Sequence, residues 1–597
     1  MIIKIHDTLA LVRKIGADST ANEDLSQVTT SKDWFCFGLL AMTMPLAYAD
    51  TAPVITYDPT KAQQPSQVQQ LQPLPAKKGD GFELPPVPKP KVMGQSDKTI
   101  SVKQIQFEGN SVFTAQELSA IAQPYLNRQL SATDIEELRR QTTLFYVNKG
   151  YVNSGAVINS QSVAGGVLKL TIIEGKLTDI KQSGLGRLRE SYIRDRLLLG
   201  SGEPLNVNKL QESYRLLLGD PLIERLNGQL VPGKNLGEAI LNVDVTRARP
   251  YQLYAGADNY QTPSIGGYTG RMGGWVDNLL TLGEHIDAQF IVNGGALGYN
   301  TGIEVPISAS GTRASFRYSD TFSTIVEAPL DTLNIKNNIS GFDGGITHPV
   351  YKTLADEVLL GVNFTVRENK TTIDGICIPT TEGLDTCTTQ ATVLRLSQHV
   401  FHRGDTHNLV FWSTFNAGLD ALGATTNQPN LQSGQFFSWL GQSMFSQKVM
   451  DNGAMVVLKG NIQLADSPLL NLERYSVGGV YTVRGYRENT YVRDNGFNAS
   501  LEFKYPLLAD YLPDRSSFYL VPFMDYGGAW DNPTLSQANK HTDYLHSVGI
   551  GFNFQYQQLT TEFYWAHAIA SVNNPQKSLH HDIQDDGIHF RVNFNAF

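Results

Sequence analysis

The chain has 597 residues, of which 18% are charged and 10% are aromatic, and it contains 53 glycines. This length exceeds one ordinary globular core, and the composition is less typical of a soluble enzyme than of many strands that face an apolar medium on one side. The formal net charge of -9 and the lack of Lys and Arg clusters exclude the basic surface that nucleic-acid binding needs.

One stretch near the N-terminus approaches continuous hydrophobicity: WFCFGLLAMTMPLAYA, from Trp34 to Ala49. It is shorter than the roughly 20 residues of a spanning helix, and it ends in the small-x-small pattern of signal-peptidase cleavage. A buried helix of a soluble protein is disfavoured because proline and acidic residues follow at once. We predict that residues 1–49 are an export signal with an extended n-region.

Cysteine usage agrees with export. Cys36 leaves with the signal, so Cys377 and Cys387 remain, close together in the polar stretch GICIPTTEGLDTCTTQ. An even pair in one loop of an exported chain is typical of a disulfide. A metal pair is the alternative, but no His or further Cys stands nearby. We expect the disulfide, no metal site and no cofactor.

Two small α+β modules follow a linker. Residues 50–98 are rich in Pro and Gln, a composition that cannot bury a core. Strand and helix patterns then begin, with Thr114 and Glu117 forming a capping box before the first helix and Ser131 opening the second. The order of elements repeats, which predicts modules over residues 99–176 and 177–249.

From Pro250 onward the helical period vanishes and strict alternation takes over. Along HSVGIGFNFQY, for example, Val548, Ile550 and Phe552 share one face while glycine and Asn553 occupy the other. An antiparallel sandwich alternates too, but the export signal, the lack of a spanning helix and the length of the pattern favour a membrane barrel. At about 22 residues per strand and connection, residues 250–597 accommodate roughly 16 strands.

A polar stretch, GGVYTVRGYREN, interrupts the predicted strands. The glycine pair Gly478 and Gly479 is a candidate hinge that lets the loop fold back into the barrel. The chemistry is carried by the tetrapeptide after it: Val483, Arg484, Gly485 and Tyr486. An ordinary solvated arginine in an external loop is the alternative reading.

An arginine inside a barrel needs a carboxylate partner. In SFYLVPFMDYGGAW, Phe523 and Asp525 share one face, and a charge facing lipid costs on the order of 2 kcal/mol or more. Asp525 is therefore expected to point into the lumen, where Arg484 can pair with it through charge-assisted hydrogen bonds.

These motifs together resemble the TpsB transporters of two-partner secretion, within the BamA-related outer-membrane superfamily. The resemblance covers the whole predicted mature chain and rests on the F-x-D pattern of Phe523 and Asp525 and on five further stretches: GGVYTVRGY, GADNY, VDNLLTLGE, NKGYVNSGAVINSQSVAGGVLKLTIIEGKL and GEPLNVNKLQESYRLLLGDP. Its implied architecture is two periplasmic POTRA modules followed by a barrel in the Gram-negative outer membrane.

The resemblance also implies a function. An unfolded exoprotein, such as a filamentous adhesin, a haemolysin or a contact-dependent inhibition toxin, binds the POTRA modules and passes through the barrel. The family further implies that the loop enters the lumen, that Arg484 contacts Asp525, and that a plug helix lies within residues 50–98. We expect a monomer in contact with outer-membrane lipid.

Two alternatives belong to other classes. A BamA-like assembly factor is disfavoured because the chain has two predicted modules rather than about five. An enzyme is disfavoured because the sequence has no G-x-S-x-G elbow, no H-E-x-x-H and no nucleotide-binding G-x-x-x-x-G-K-[ST].

Overall fold

The structure, a computed structural model, describes residues 81–84, 99–159, 163–379, 381–509, 511–513, 516–534, 541–572 and 580–596. The predicted export signal lies outside the described residues. The same holds for the predicted plug helix and for most of the Pro/Gln-rich segment. Within the described part of the chain, no helix is both long and apolar enough to cross a bilayer.

Ten short strands and four α-helices of the described residues precede the barrel. The strands are β1 (Phe82–Glu83), β2 (Thr99–Val102), β3 (Gln104–Glu108), β4 (Arg128–Ser131), β5 (Gly155–Val157), β6 (Val163–Ala164), β7 (Val167–Ile173), β8 (Lys176–Ser183), β9 (Ile223–Pro232) and β10 (Glu238–Arg247). The helices are α1 (Ala115–Ala122), α2 (Ala132–Asn148), α3 (Glu190–Ser201) and α4 (Val207–Leu218).

The first α+β unit packs α1 and α2 on a small mixed sheet of order β3-β7-β5. Both helices begin at complete capping boxes, Thr114 with Glu117 and Ser131 with Asp134, which satisfy the free N–H groups of the first turn. Leu138 projects from α2 onto the sheet and is fully buried. Apolar burial on one face of each element therefore forms a separate core for this unit.

The second unit repeats the plan with a sheet of order β1-β9-β10-β8. Asn206 caps α4 by accepting hydrogen bonds from Asn208 and Lys209. Tyr214 on α4 is fully buried in this unit's own core. The strand β1 comes from the segment that composition alone predicts to be a linker, so part of that linker is built into the sheet.

The rest of the described chain is dominated by strands: β11 (Tyr251–Asp258), β12 (Thr269–Asp277), β13 (His285–Asn293), β14 (Ala296–Pro306), β15 (Arg313–Thr324), β16 (Ile335–Lys352), β17 (Asp356–Ile373), β18 (Ile376–Cys377), β19 (Thr388–Arg403), β20 (His407–Gly418), β21 (Phe437–Lys448), β22 (Met455–Ala465), β23 (Tyr475–Val477), β24 (Tyr491–Arg493), β25 (Asn495–Pro506), β26 (Ser516–Trp530), β27 (Thr542–Tyr556), β28 (Leu559–Ala568) and β29 (Ile588–Asn595).

Sixteen of these strands close into one antiparallel barrel, which confirms the predicted fold class. The two-residue β18 only extends the hairpin after β17, and β23 pairs with β24 in a separate two-stranded sheet. Closure occurs where β11 pairs antiparallel with β29, from Tyr254 opposite Asn595 to Asp258 opposite Arg591. A closed barrel has no free edge, so its wall satisfies its own backbone hydrogen bonds in lipid.

The two faces of the barrel wall differ as the alternation requires. Outward side chains such as Phe290, Val362 and Met524 are about half exposed on the bare protein surface. Inward side chains such as Gln289 and Thr365 are buried against other lumen groups. The outer face is thus apolar where lipid contacts it, and the polar residues of the same strands face the lumen.

The loop that follows β17 is closed covalently. The structure joins Cys377 and Cys387 in a disulfide, with their Cα atoms 5.2 Å apart. Cys377 lies in β18, and Cys387 comes directly before β19. The bond therefore ties together the two ends of the polar connection between neighbouring barrel strands.

The two faces of the barrel wall should differ in their tolerance of a charged side chain. Val362→Arg places a cation on the lipid face of β17, which costs about 2–4 kcal/mol near the bilayer midplane. Its neighbour Asn363 faces the lumen, so Asn363→Arg is the matched control. We expect much less folded barrel for Val362→Arg, measured by heat-modifiable mobility in gel electrophoresis. Equal folded levels for the two variants would contradict the assigned faces.

Candidate functional site

The polar stretch singled out by the sequence lies inside the barrel. We call residues 478–490 the lumen loop; it connects β23 to β24, whose pairing brings the two ends of the loop together. Val483 is fully buried, and Tyr486 is nearly so. Both belong to an apolar cluster with Leu440, Ala529 and Leu545, which point inward from β21, β26 and β27. The loop is therefore packed against the inner wall and not held in solvent.

Three glycines fit the lumen loop into this space. Gly478, Gly479 and Gly485 have φ angles of 108°, 102° and 92°, a region that other residues rarely adopt. A Cβ on Gly479 would collide with the carboxyl group of Glu488, and one on Gly485 would lie 3.1 Å from Ala566. The structure places the first two glycines in a tight buried turn. That Gly478 and Gly479 act as a hinge stays a prediction.

Arg484 and Asp525 meet in the lumen. The guanidinium Nε and Nη2 donate to the two carboxylate oxygens of Asp525, both at 2.8 Å. The backbone N–H of Arg484 donates to the same carboxylate at 3.0 Å. This bidentate geometry is the strongest arrangement available to an arginine and a carboxylate, and it fixes the backbone as well as the side chain.

A second carboxylate, which the sequence analysis did not name, completes the arginine's surroundings. Nη1 of Arg484 lies 2.9 Å from Glu502 on β25, and Nη2 donates to the Ser500 hydroxyl at 2.9 Å. Glu502 also accepts from Lys459 at 2.8 Å. The alternation of β25 already puts Glu502 on the lumen face opposite Leu501, so the pattern contained a signal for this partner.

The two-residue spacing of Phe523 and Asp525 places an aromatic ring and a carboxylate side by side against Arg484. Alternate residues of a strand share a face, so the ring of Phe523 stands beside the carboxylate of Asp525. The guanidinium carbon of Arg484 lies 3.4 Å from the centroid of that ring and 5.0 Å from that of Tyr564. A desolvated cation over an aromatic face gains about 2 kcal/mol. The carboxylates and the rings thus enclose one cation.

The lumen loop has a second fixed point that sequence reasoning missed. Arg487 lies 2.6 Å from Glu327, in the connection between β15 and β16, and 2.6 Å from Asp585, just before β29. These partners are 160 and 98 residues away in sequence. No local pattern could have identified them, because the contacts exist only once the barrel has closed.

The loop also contacts the barrel seam. Tyr481 accepts a hydrogen bond from Arg591 on β29, and its ring meets that of Tyr260 edge to face at 5.6 Å. Tyr260 ends the GADNY stretch, and within the same stretch Asp258 pairs with Arg271 at 2.6 Å. The GADNY residues thus link the first barrel strand to the last strand and to the lumen loop.

The VDNLLTLGE stretch forms the turn between β12 and β13. Glu284 is fully buried and accepts backbone hydrogen bonds from Leu280 and Leu282. At the tip, a Cβ on Gly283 would collide with the ring of Tyr192 and lie 3.2 Å from Leu222. The missing side chain therefore lets the second α+β unit pack directly on the barrel.

The match to a protein family decides what this architecture is. Residues 237–554, more than half of the chain, match the family described as haemolysin secretion/activation protein ShlB/FhaC/HecB. The chain belongs to this family. Residues 100–175 match the POTRA domain of ShlB type, so the first α+β unit is a POTRA domain. The predicted resemblance to two-partner secretion transporters is confirmed, and with it the outer-membrane location.

Relatives and a solved structure agree with the family. The chain is 22% identical to the heme/hemopexin transporter protein HuxB of Haemophilus influenzae strain 86-028NP over 76% of this chain and 80% of HuxB. It is 24% identical to the outer membrane transporter CdiB of Escherichia coli strain 536 over 83% of this chain and 84% of CdiB. The structure of CdiB from Escherichia coli shares the fold, with a TM-score of 0.61, 19% identity and coverage of 85% and 93%.

The buried ion pair of Arg484 and Asp525 should contribute strongly to the stability of the folded barrel. Arg484→Ala leaves the buried Asp525 without its cation, and breaking such a pair costs about 3–5 kcal/mol. Arg493→Ala is the matched control, because the Arg493 side chain that pairs with Asp543 is 34% exposed, against 5% for Arg484, and a more exposed ion pair contributes less. We expect these losses in urea unfolding from lipid vesicles.

The double variant Arg484→Ala/Asp525→Ala completes this test. Its loss in free energy of unfolding should be smaller than the sum of the losses in the two single variants. Each single variant leaves one buried charge without its partner, whereas the double variant removes both charges of the pair. Equal losses for Arg484→Ala and Arg493→Ala, or strict additivity in the double variant, would contradict the described cluster.

Proposed function

We propose that this family member exports one large secreted exoprotein of the TpsA type, and that the lumen loop controls its passage. The observation that carries the proposal is a closed barrel whose lumen contains a loop held by buried ion pairs, preceded by two α+β units of which the first is a POTRA domain. The proposal assigns the chain transport and no catalysis, and it treats the working unit as a monomer because one chain closes the barrel by itself.

Capture of the client is proposed to occur at a sheet edge. Among the described residues, β3 pairs with β7 as its one strand partner and leaves its other edge open. An extended chain can add to such an edge through main-chain hydrogen bonds, while pockets for alternate side chains give selectivity. An unfolded exoprotein presents many such segments, so edge addition suits its recognition in the periplasm.

Passage through the lumen requires room. A barrel of sixteen strands encloses an aqueous channel, and the lumen loop fills part of that channel. We propose that the loop shifts when the client enters. Separating Arg484 from its carboxylates is costly, so contacts with the client must favour the shifted state by a comparable free energy.

The energy for export is proposed to come from the client. The sequence has no nucleotide-binding G-x-x-x-x-G-K-[ST] motif, and folding of the exoprotein outside the cell makes its return unfavourable. The relatives' names point to different cargoes, since one is a heme/hemopexin transporter and another is CdiB. We propose an adhesin, a haemolysin or a contact-dependent inhibition toxin as the client class.

Deletion of the gene tests the function against a BamA-like role. We expect loss of one large exoprotein from the culture medium, most directly the product of the neighbouring reading frame, with unchanged porin levels in the outer membrane. Re-expression of the full chain is the control and should restore export. A general fall in outer-membrane porins with normal exoprotein export would contradict the proposal and favour an assembly factor.

A further inference from the structure

Two histidines meet at the rim of the barrel that lies nearest the α+β units. His402 lies near the end of β19 and His407 begins β20, with the short turn 404–406 between the two strands. Because neighbouring strands alternate in direction, this turn lies on the same rim as the β12–β13 turn, where Gly283 packs on the second α+β unit. The two imidazoles are therefore placed at the periplasmic side of the membrane.

The pair lies on the outer face of the wall. Leu409, an outward side chain that is 37% exposed, stands directly opposite His402 and two residues after His407. Residues directly opposite each other, and alternate residues of one strand, share a face of the sheet. Asp356 at the start of β17 stands opposite His402 on its other side and shares that face. At the end of the strands this face meets the lipid headgroups and the periplasmic water.

The two rings have the geometry of ligands to one metal ion. Nε2 of His402 lies 3.2 Å from Nε2 of His407, whereas the ring centroids are 5.0 Å apart, so the Nε2 corners of the rings converge. Zn²⁺ binds imidazole nitrogen at about 2.0–2.1 Å, and two such nitrogens on a tetrahedral ion lie roughly 3.3–3.4 Å apart. The pair thus has, within about 0.2 Å, the spacing that a shared ion requires.

Asp356 fixes the orientation of one of these rings. Its carboxylate lies 2.6 Å from Nδ1 of His402. An ionised carboxylate can only accept, so the proton is on Nδ1 and the neutral ring presents the lone pair of Nε2 toward His407. A carboxylate on the far nitrogen is the arrangement that orients metal-ligating histidines in proteins. Sequence spacing alone predicts no metal site here, because the three side chains come together only through strand pairing.

We propose that His402 and His407 bind a Zn²⁺ ion at the periplasmic rim and that Asp356 positions His402 for it. Among the described residues, no set of three or more His, Cys, Asp or Glu side chains forms a metal site, so the remaining coordination positions are left to water. Imidazole nitrogen suits Zn²⁺ and Cu²⁺. A bound ion joins the adjacent ends of β19 and β20 and stabilises the folded barrel, as does any ligand that binds only the folded state.

Zn²⁺ binding by the full-length chain, purified without a polyhistidine tag and folded in detergent, tests the site. In competition with a chelating indicator, we expect Asp356→Asn to bind Zn²⁺ about 10–100-fold more weakly than the wild type. The double variant His402→Ala/His407→Ala should lose this binding. His348→Ala is the matched control, because His348 lies on the outer face of the same rim, opposite Leu360, and its removal should leave the affinity unchanged.

Cu²⁺ as a probe gives a second readout. Its electron paramagnetic resonance spectrum should show two imidazole nitrogens in the wild type and one in either single histidine variant. Folding of every variant is checked by heat-modifiable mobility. Unchanged Zn²⁺ affinity in the double variant, or no Zn²⁺ binding by the folded wild type, would overturn the inference and leave a direct imidazole–imidazole hydrogen bond as the cause of the short distance. The proposed export function is independent of either outcome.

Discussion

One buried arginine organises the lumen. Arg484 is 4% exposed and lies between Asp525 and Glu502, over the ring of Phe523. A cation removed from water is tolerable only with charged partners and further hydrogen bonds, and both exist because the barrel closes around it. The same Asp525 carboxylate also accepts a hydrogen bond from the Arg484 backbone, so the pairing fixes the main chain of the loop as well as the side chain.

Other contacts of the lumen loop reach β29 and the segment before it, at the seam of the barrel. Arg487 binds the segment before β29, and Tyr481 binds Arg591 on β29 itself. The seam between β11 and β29 is short, so these contacts reinforce it from inside. The loop therefore both narrows the lumen and joins strands that are distant in sequence, and its movement would affect the channel and the seam together.

The sequence predicts the strands of the barrel because the alternation of apolar and polar residues is a local property. The lipid-facing and lumen-facing residues of β26 follow from the spacing of Phe523 and Asp525, and the capping box at Thr114 marks its helix from four residues. The same alternation along β25 could have identified Glu502 as a lumen-facing carboxylate. The partners of Arg487 could not be predicted, because these contacts form only when the barrel closes. The pairing of β1 with β9 could not be predicted either, because β1 is only two residues long.

In the proposed mechanism, the lumen loop must move away from the inner wall of the barrel for the client to pass. Gly527 on β26 faces Val483, and a Cβ there would lie 2.9 Å from the Val483 side chain, so Val483→Cys/Gly527→Cys can fix the loop to the wall. The decisive measurement is exoprotein export by this variant at matched barrel levels, oxidised and then reduced. We predict that oxidation stops export and that reduction restores it. Undiminished export with the loop covalently held would show that the client passes without movement of the loop.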